Sequence, residues 1–591
     1  MYDSVTEQKV QVLRMKIMAI DYGDAHTGIA ISDYTETLAG YSDVIHSRKQ
    51  EEVLSGVQRL IAEHGVELLV LGYPRNMDGT VGVRAEKCAA FAEVLRQETG
   101  LEVVLWDERR TTIDAHNILQ RNGQNAKKRK KTVDAVAAAL MLEGYEPLFP
   151  GITARQHAYV EEVVSSLSEV AECVFPRVAL SRADIEAIVA GFNAQGLDGI
   201  LILLLTYSQG QYLVHAMQRN SLPLALALVQ PDETVGDDFE ELELTVNQGI
   251  HGSQDNANCL LRAGIPCTFF AGSRKNGELA AFVRDFGAAA RTVEAMRRMR
   301  IGVIGRLPGM GDVVTDDMAV YRVLGPEFVY DSIGTVRRLC AEADEKEIAR
   351  LMVLDRERFD VDPHMPPERH AESVRMYLGI RAWLEAGGYA GYTLHFDELG
   401  ADGRFIHLPF LAASNLMAEG YGYAAEGDAT CAMLMAAMIR LCGRANFSEM
   451  YMMDLAREAI LMCHAGEGNW AMARTDRKPF LMDRVFGEGG LDNPPTLIFA
   501  QKPGPAAVMS LAHLGGDRFR LVYAPGEVLD KADLRRCDMP YLFFRPQSGV
   551  RACVKAWLEQ GGTHHEVIVE GVPEERVRLW CRLAGIEFVR I

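Results

Sequence analysis

The chain has 591 residues, 48% of them apolar, and 62 Lys+Arg against 81 Asp+Glu, a formal net charge of −19. That length exceeds one ordinary domain and that apolar fraction is ample for several cores, which excludes disordered, collagen-like and coiled-coil classes. The longest apolar stretches, such as Gly199–Leu205 and Cys431–Ile439, are well short of the roughly 20 residues a membrane span needs. The opening Met1–Arg14 is polar and lacks the apolar core of a secretory signal, so a cytoplasmic protein without membrane association is expected. Eleven cysteines with no Cys-x-x-Cys pair read as reduced thiols rather than a disulfide frame or a zinc ribbon.

An acidic chain is, as a whole, a poor candidate for nucleic-acid binding. The charge is unevenly spread, however. Residues 1–150 hold 18 Lys+Arg against 22 Asp+Glu, a net of −4, which leaves −15 for the remainder. The chain's longest run of consecutive cations, Lys127, Lys128, Arg129, Lys130 and Lys131, lies in that first part. Such a run is ordinarily a solvated loop.

In chain order, Met15–Asp21 alternates into a strand ending on an acid, and Gly23 turns it into a second alternating run, Thr27–Ser32. A helix is expected near Glu51–His64, a buried strand at Val66–Leu71 and a loop at Gly72–Thr80. The next strand, Glu102–Trp106, delivers Asp107-Glu108-Arg109-Arg110, and a helix begins at Thr111. After the basic run, Thr132-Val-Asp134 opens an Ala-rich helix to about Glu143. Asp21, Glu108 and Asp134 thus fall at two strand ends and a helix start. Clustered carboxylates of this kind serve two-metal phosphodiester chemistry, where hard oxygen ligands hold two Mg²⁺ ions about 4 Å apart. The plain alternative is that each acid caps a helix or ends a strand.

On Ala19-Ile-Asp-Tyr-Gly23, Asn76-Met-Asp-Gly-Thr80, Asp107–Thr112 and Lys131-Thr-Val-Asp134, this part resembles the YqgF-type family of Holliday-junction resolvases or pre-16S rRNA processing nucleases. The resemblance implies an RNase H-like fold over residues 15–150, Mg²⁺ held by Asp21, Glu108 and Asp134, and structured RNA or branched DNA as substrate. Lys127–Lys131 would then contact phosphates. It also implies a start at Met15, with Met1–Arg14 an extension.

From Pro150 a second α/β rhythm begins: helix Ile185–Gln195, apolar strand Gly199–Leu205, helix Gln209–Asn220, apolar strand Pro223–Val229. This alternation predicts a doubly wound parallel sheet. Arg300–Ile304 starts a further unit, and Gly305–Gly311, which lacks a phosphate-loop Lys-Ser/Thr, reads as a tight turn. Four candidate ligands follow: Glu426 in a Gly-punctuated turn, Glu449 in Phe447-Ser-Glu449, His464 at the end of an apolar strand, and one of His564 and His565 after a helix. Two Glu and two His form a mixed set suited to Mn²⁺ or a similar divalent ion. Singly, each would more often be structural.

The order and context of these four resemble the L-arabinose isomerase family, as do Thr206–Ser208, Asn247–Gly252, Asp312–Asp317, Phe396–Glu398 and Gly490–Pro494. The resemblance runs from about residue 156 to Ile591 and implies an aldose–ketose isomerase working through a cis-enediol. Glu426, Glu449, His464 and His564 or His565 would bind the metal, the two Glu would double as acid and base, and His251 would touch the sugar. The family forms homo-oligomers in which N-terminal domains help complete neighbouring sites. It also opens with a strand for which this chain leaves no room, so either the fusion boundary supplies a substitute, or another chain does, or the reading frame joins two genes imperfectly. The expected architecture is α/β throughout. After the RNase H-like domain come doubly wound isomerase domains at 151–298 and 299–440, then a C-terminal mixed α/β domain at 441–591. The alternative reading keeps only the nuclease active, with the isomerase half a truncated remnant or a sugar-sensing, oligomerising module.

Overall fold

The computed structural model describes residues 16–23, 26–32, 39–73, 83–107, 134–138 and 149–591, apart from 238, 307–308, 401–402, 487–489, 531–533 and 535. The chain forms two compact units, Met1–Lys130 and Lys131–Ile591.

In the first unit, β1 (Ile17–Tyr22), β2 (His26–Ser32) and β3 (Ala39–His46) run as an antiparallel meander. α1 (Gln50–His64) leads to β4 (Leu68–Tyr73), and α2 (Val83–Thr99) leads to β5 (Glu102–Asp107). The five-stranded sheet has the order β3-β2-β1-β4-β5, with β4 and β5 parallel to β1. Met18 and Ile20 of β1, Leu69 and Leu71 of β4, Val57 and Leu60 of α1 and Phe91 of α2 close one core. Alternate strand residues and one stripe of each helix are buried, as a layered α/β unit requires.

The second unit opens with β6 (Asp134–Ala138), α3 (Ile152–Leu167), α4 (Arg182–Gln195), β7 (Ile200–Leu204), α5 (Gly210–Met217), β8 (Leu224–Leu228), α6 (Gly249–Arg262) and β9 (Thr268–Ala271). The four strands form a parallel sheet in the order β6-β7-β8-β9. β7 is buried at every position, which is why it reads as an unbroken apolar run: helices cover both faces of a parallel sheet. α7 (Glu278–Met296) then leads into a second parallel sheet built from β10 (Arg300–Ile304), β11 (Glu327–Tyr330), β13 (Gly391–Leu394) and β14 (Gly422–Ala425), in the order β11-β10-β13-β14. Short β12 (Asp360–Val361) and helices α8 (Pro367–Gly387) and α9 (Phe410–Glu419) lie between these strands in sequence.

α10 (Ala429–Cys442) is buried on nearly every side, packed against β13 and β14 on one flank and against strands of the C-terminal sheet on the other. That sheet comprises β15 (Asn446–Asp454), β16 (Ala459–Cys463), β19 (Gly504–His513), β20 (Phe519–Val528), β21 (Tyr541–Pro546), β22 (Glu566–Glu570) and β23 (Glu587–Arg590). Its order is β19-β22-β15-β16-β21-β20-β23, and an additional β19–β20 pairing closes six strands into a barrel. Closure removes the unpaired edges that an open sheet would expose. β17 (Phe480–Asp483) and β18 (Pro495–Ile498) pair beside it with β12.

One expectation is corrected. Where a helix was to open at Thr132, residues 134–138 form β6, in parallel register with β7 from Asp134↔Ile200 to Ala138↔Leu204. Ala135-Val-Ala-Ala-Ala-Leu140 is apolar at every position, so it has no polar stripe to hold it on a surface and suits a strand flanked by buried β7. The chain itself therefore places a strand beside β7, from residues at the expected junction between the two parts.

Candidate metal centre

Glu426 sits where the chain leaves the carboxyl end of β14, the end at which parallel α/β sheets bind ligands. The turn is held by Glu426 N–H donating to Leu394 O (3.1 Å), Gly427 N–H to Thr393 Oγ1 (3.0 Å) and Asp428 N–H to Ala425 O (3.0 Å). Glu426 adopts φ 61° and Gly427 φ 82°. A left-handed backbone costs a non-glycine residue about 1–2 kcal/mol, and such strain collects at functional sites. At Gly427 a Cβ would lie 2.6 Å from both Arg306 Cα and Gly305 O, so no larger residue fits. Asp428 then caps α10, accepting from Cys431 N–H at 2.9 Å.

The other three residues come from one end of the barrel. β22, β15 and β16 are adjacent and antiparallel, with Glu449 opposite Cys463 and Ser448 opposite Glu566. That register places Glu449 between His464, which follows β16, and His565, which precedes β22. Glu449 Oε1 lies 3.3 Å from His565 Nε2 and 3.7 Å from His464 Nε2, while Glu426 Oε2 lies 3.6 Å from His565 Nε2. Phe447, from the same strand as Glu449, packs its ring 4.8 Å from the His464 ring and 5.1 Å from the His565 ring.

Both buried imidazoles are held from behind by acids. His565 Nδ1 donates to Asp428 Oδ2 at 2.9 Å. His464 Nδ1 sits 3.1 Å from Glu467 Oε2, and Glu467 in turn accepts from Tyr423 OH at 2.6 Å and from Gly466 N–H at 2.8 Å. Burial alone would raise the Glu467 carboxyl, yet His464 and Tyr423 hold it down at about 2. Burial alone would lower both histidines, and Glu467 with Glu449 raises His464 while Asp428, Glu426 and Glu449 raise His565 well above the usual range. Glu426 is held low by His565 beside it.

The donor set fits a divalent cation. Glu426 Oε2 and His565 Nε2 are buried, face one another, and make no hydrogen bond among the described residues. Each such orphan costs about 1–3 kcal/mol, a cost that an ion between them removes. Ligand atoms of Glu449, His464 and His565 lie within 4.8 Å of one another, as do those of Glu426, His564 and His565. Phe396, Phe410 and Phe486 wall a small cavity that Glu426 and His464 also line, so one flank of the cluster is apolar.

Of the sequence candidates, the structure brings together Glu426, Glu449, His464 and both histidines of the pair. His565 is central to both groups and fully buried, whereas His564 stands at the rim with its side chain 38% exposed. His251 lies exposed on α6 and belongs to neither group. Asp21 is exposed on β1, opposite Gly28, and Asp134 lies on β6 in the second unit. Glu108 and Lys127, Lys128, Arg129, Lys130 and Lys131 lie outside the described residues. Sequence pattern assigned no supporting role to Glu467, Asp428 or Asp312, although Asp312 lies in one of the isomerase-like stretches. Glu467 stands three residues after His464, a spacing that could have flagged it.

Residues 15–145 match the family model described as Holliday junction resolvase, residues 311–443 that of the L-arabinose isomerase central domain, and residues 444–587 that of its C-terminal domain. The first match runs past the boundary between the units and takes in β6. An L-arabinose isomerase from Clostridium beijerinckii is 28% identical over 484 residues, covering 76% of this chain and 95% of its own length. L-arabinose isomerase 1 of Bacillus licheniformis is 26% identical over 474 residues with the same coverage. Among solved structures, Thermus thermophilus RuvC in complex with Holliday junction substrate covers 19% of this chain and 84% of its own, at 15% identity and a TM-score of 0.15. The chain joins a domain of the Holliday junction resolvase type to central and C-terminal domains of the L-arabinose isomerase type.

Proposed function

We propose that the second unit is a divalent-metal aldose–ketose isomerase for L-arabinose or a closely related sugar, with Glu426, Glu449, His464 and His565 as ligands. The observation that carries this reading is the convergence of two carboxylates and two buried imidazoles, each imidazole backed by an acid. When bound, an ion such as Mn²⁺ supplies Lewis acidity toward the sugar oxygens. Of Glu426 and Glu449, one takes the proton from C2 of the aldose and returns it to C1. The other moves a proton from O2 to O1, so a cis-enediol separates aldose from ketose and no atom is gained or lost. The phenylalanine wall limits water on one flank, which strengthens these interactions. β6 beside β7 favours an intact sheet over a truncated remnant. Assembly into homo-oligomers belongs to the same proposal: exposed His251, outside both ligand groups, is free to serve a neighbouring copy's site.

The first unit carries the second reading, a Mg²⁺-dependent nuclease acting on structured RNA or branched DNA, supported by the match over residues 15–145 and by Asp21 exposed on β1. The tests are separate. Glu426→Gln in the full chain should abolish Mn²⁺-dependent ketose formation across a panel of pentoses and deoxyhexoses, and unchanged turnover removes the isomerase reading. Asp21→Asn should abolish Mg²⁺-dependent cleavage of a branched DNA and of a structured RNA, and persistent cleavage assigns that activity elsewhere.

A further inference from the structure

His564 and His565 are neighbours in sequence but are held differently. His565 is buried against Asp428, with its Nε2 between Glu426 and Glu449. His564 is clamped by Asp312, whose Oδ2 accepts from the His564 backbone N–H at 3.0 Å and from its Nδ1 at 2.7 Å. Asp312 follows Gly311 in the loop after β10, so a loop of the central sheet is tied to the entry of barrel strand β22. With Nδ1 engaged, His564 Nε2 stands 3.7 Å from Glu449 Oε1. His564 and Asp312 are also the open members of this cluster, with side chains 38% and 42% exposed, against 0% for His565 and 3% for Asp428.

We propose that Asp312 is a positioning residue for the reaction, acting through His564. By accepting from both N–H groups it keeps the proton on Nδ1, leaving the Nε2 lone pair directed toward Glu449 and the open side of the cluster, where it accepts a hydrogen bond from a substrate hydroxyl. The same clamp keeps His564 out of the ligand set: the ring is held at the rim, while His565 Nε2 takes the buried place between the two glutamates. The ligand set is then Glu426, Glu449, His464 and His565, and His564 belongs to the sugar. This inference rests on the isomerase reading for its substrate.

The test uses the full chain with Asp312→Ala, Asp312→Glu and His564→Gln. Mn²⁺ affinity measured by titration calorimetry should stay within about threefold of the parent in all three, whereas loss of an outer-shell support of a true ligand weakens binding about 10–100-fold. Turnover of L-arabinose should fall about 10–100-fold in kcat/KM for Asp312→Ala and recover in part for Asp312→Glu. In ¹⁵N-histidine-labelled protein, the His564 signal, assigned by its loss in His564→Gln, should report the Nδ1–H tautomer in the parent and a mixture in Asp312→Ala. A drop of tenfold or more in Mn²⁺ affinity for Asp312→Ala makes His564 a ligand and overturns the proposal, as does an Nε2–H tautomer in the parent. If affinity and tautomer behave as stated while no sugar is isomerised by the parent, the isomerase reading falls and the clamp stands.

Discussion

Replacing Glu467 with Gln tests whether the acid behind His464 organises the proposed metal centre. The substitution keeps shape and volume at a residue only 2% exposed but removes its charge. The magnitude follows from the depression of the Glu467 carboxyl from 4.5 to about 2, against a burial effect that acts the other way. A shift of that size corresponds to ~3 kcal/mol at 1.4 kcal/mol per unit. Its largest favourable source is His464, 3.1 Å away. In the variant an amide replaces the carboxylate 3.1 Å from His464 Nδ1, whose charge favours a proton on that nitrogen and leaves Nε2 toward Glu449, so Mn²⁺ affinity should weaken about 10–100-fold, or ~1.4–2.8 kcal/mol. The assay is calorimetric titration of full-length protein with Mn²⁺ at pH 7, paired with thermal unfolding in the absence of metal. Because the folded-state value is depressed, the contribution of Glu467 is fully present above pH 4.5 and fades as the pH falls toward 2, so at pH 7 the whole difference should be visible. Tyr423→Phe, which removes only the hydroxyl donor to Glu467, should cost about 1 kcal/mol. If Glu467→Gln binds Mn²⁺ within threefold of the parent with the fold intact, the orienting argument is wrong.

Three further outcomes are expected. Successive backbone N–H groups of a strand point in opposite directions, so with prolines at both Val136 and Ala137 one of them must remove a donor facing β7. The second unit should lose about 3 kcal/mol or more, and an unchanged thermal midpoint would remove β6 from the sheet. Gly427→Ala forces a Cβ to 2.6 Å from Arg306 Cα at φ 82°. It should lower both the unfolding midpoint and Mn²⁺ affinity, because the Glu426 turn must shift. Asp198, beside the start of β7, is pushed up to about 6 by burial that Arg291 only partly offsets. The folded chain therefore holds this proton more tightly than the unfolded chain, and the contribution is lost as pH rises from about 4 through 6. Asp198→Asn should thus gain on the parent across that window by up to ~3 kcal/mol, read as a difference in unfolding midpoint between pH 4 and pH 8.

Much of the architecture was legible in the chain. Apolar runs such as Ile200–Leu204 and Leu224–Leu228 announce buried parallel strands because burial on both faces permits nothing else. The candidate ligands Glu426, Glu449 and His464 stood out by their types and contexts, and the structure brings them together. What a sequence cannot carry is pairing at long range. Nothing local says that β22 lies beside β15, and only that register puts His565, rather than His564, between the two glutamates. Nor does spacing reveal that Asp312 reaches His564 from 252 positions away.

The segment 134–138 makes the same point most sharply. Its sequence matches the Holliday junction resolvase model, and its alanines are compatible with a helix, yet it forms the edge strand beside β7 in the second unit. An all-apolar stretch of this length carries no periodicity that separates helix from strand. The decision falls to the neighbour that can use its backbone hydrogen bonds, and β7 would otherwise leave one edge of N–H and C=O groups unpaired.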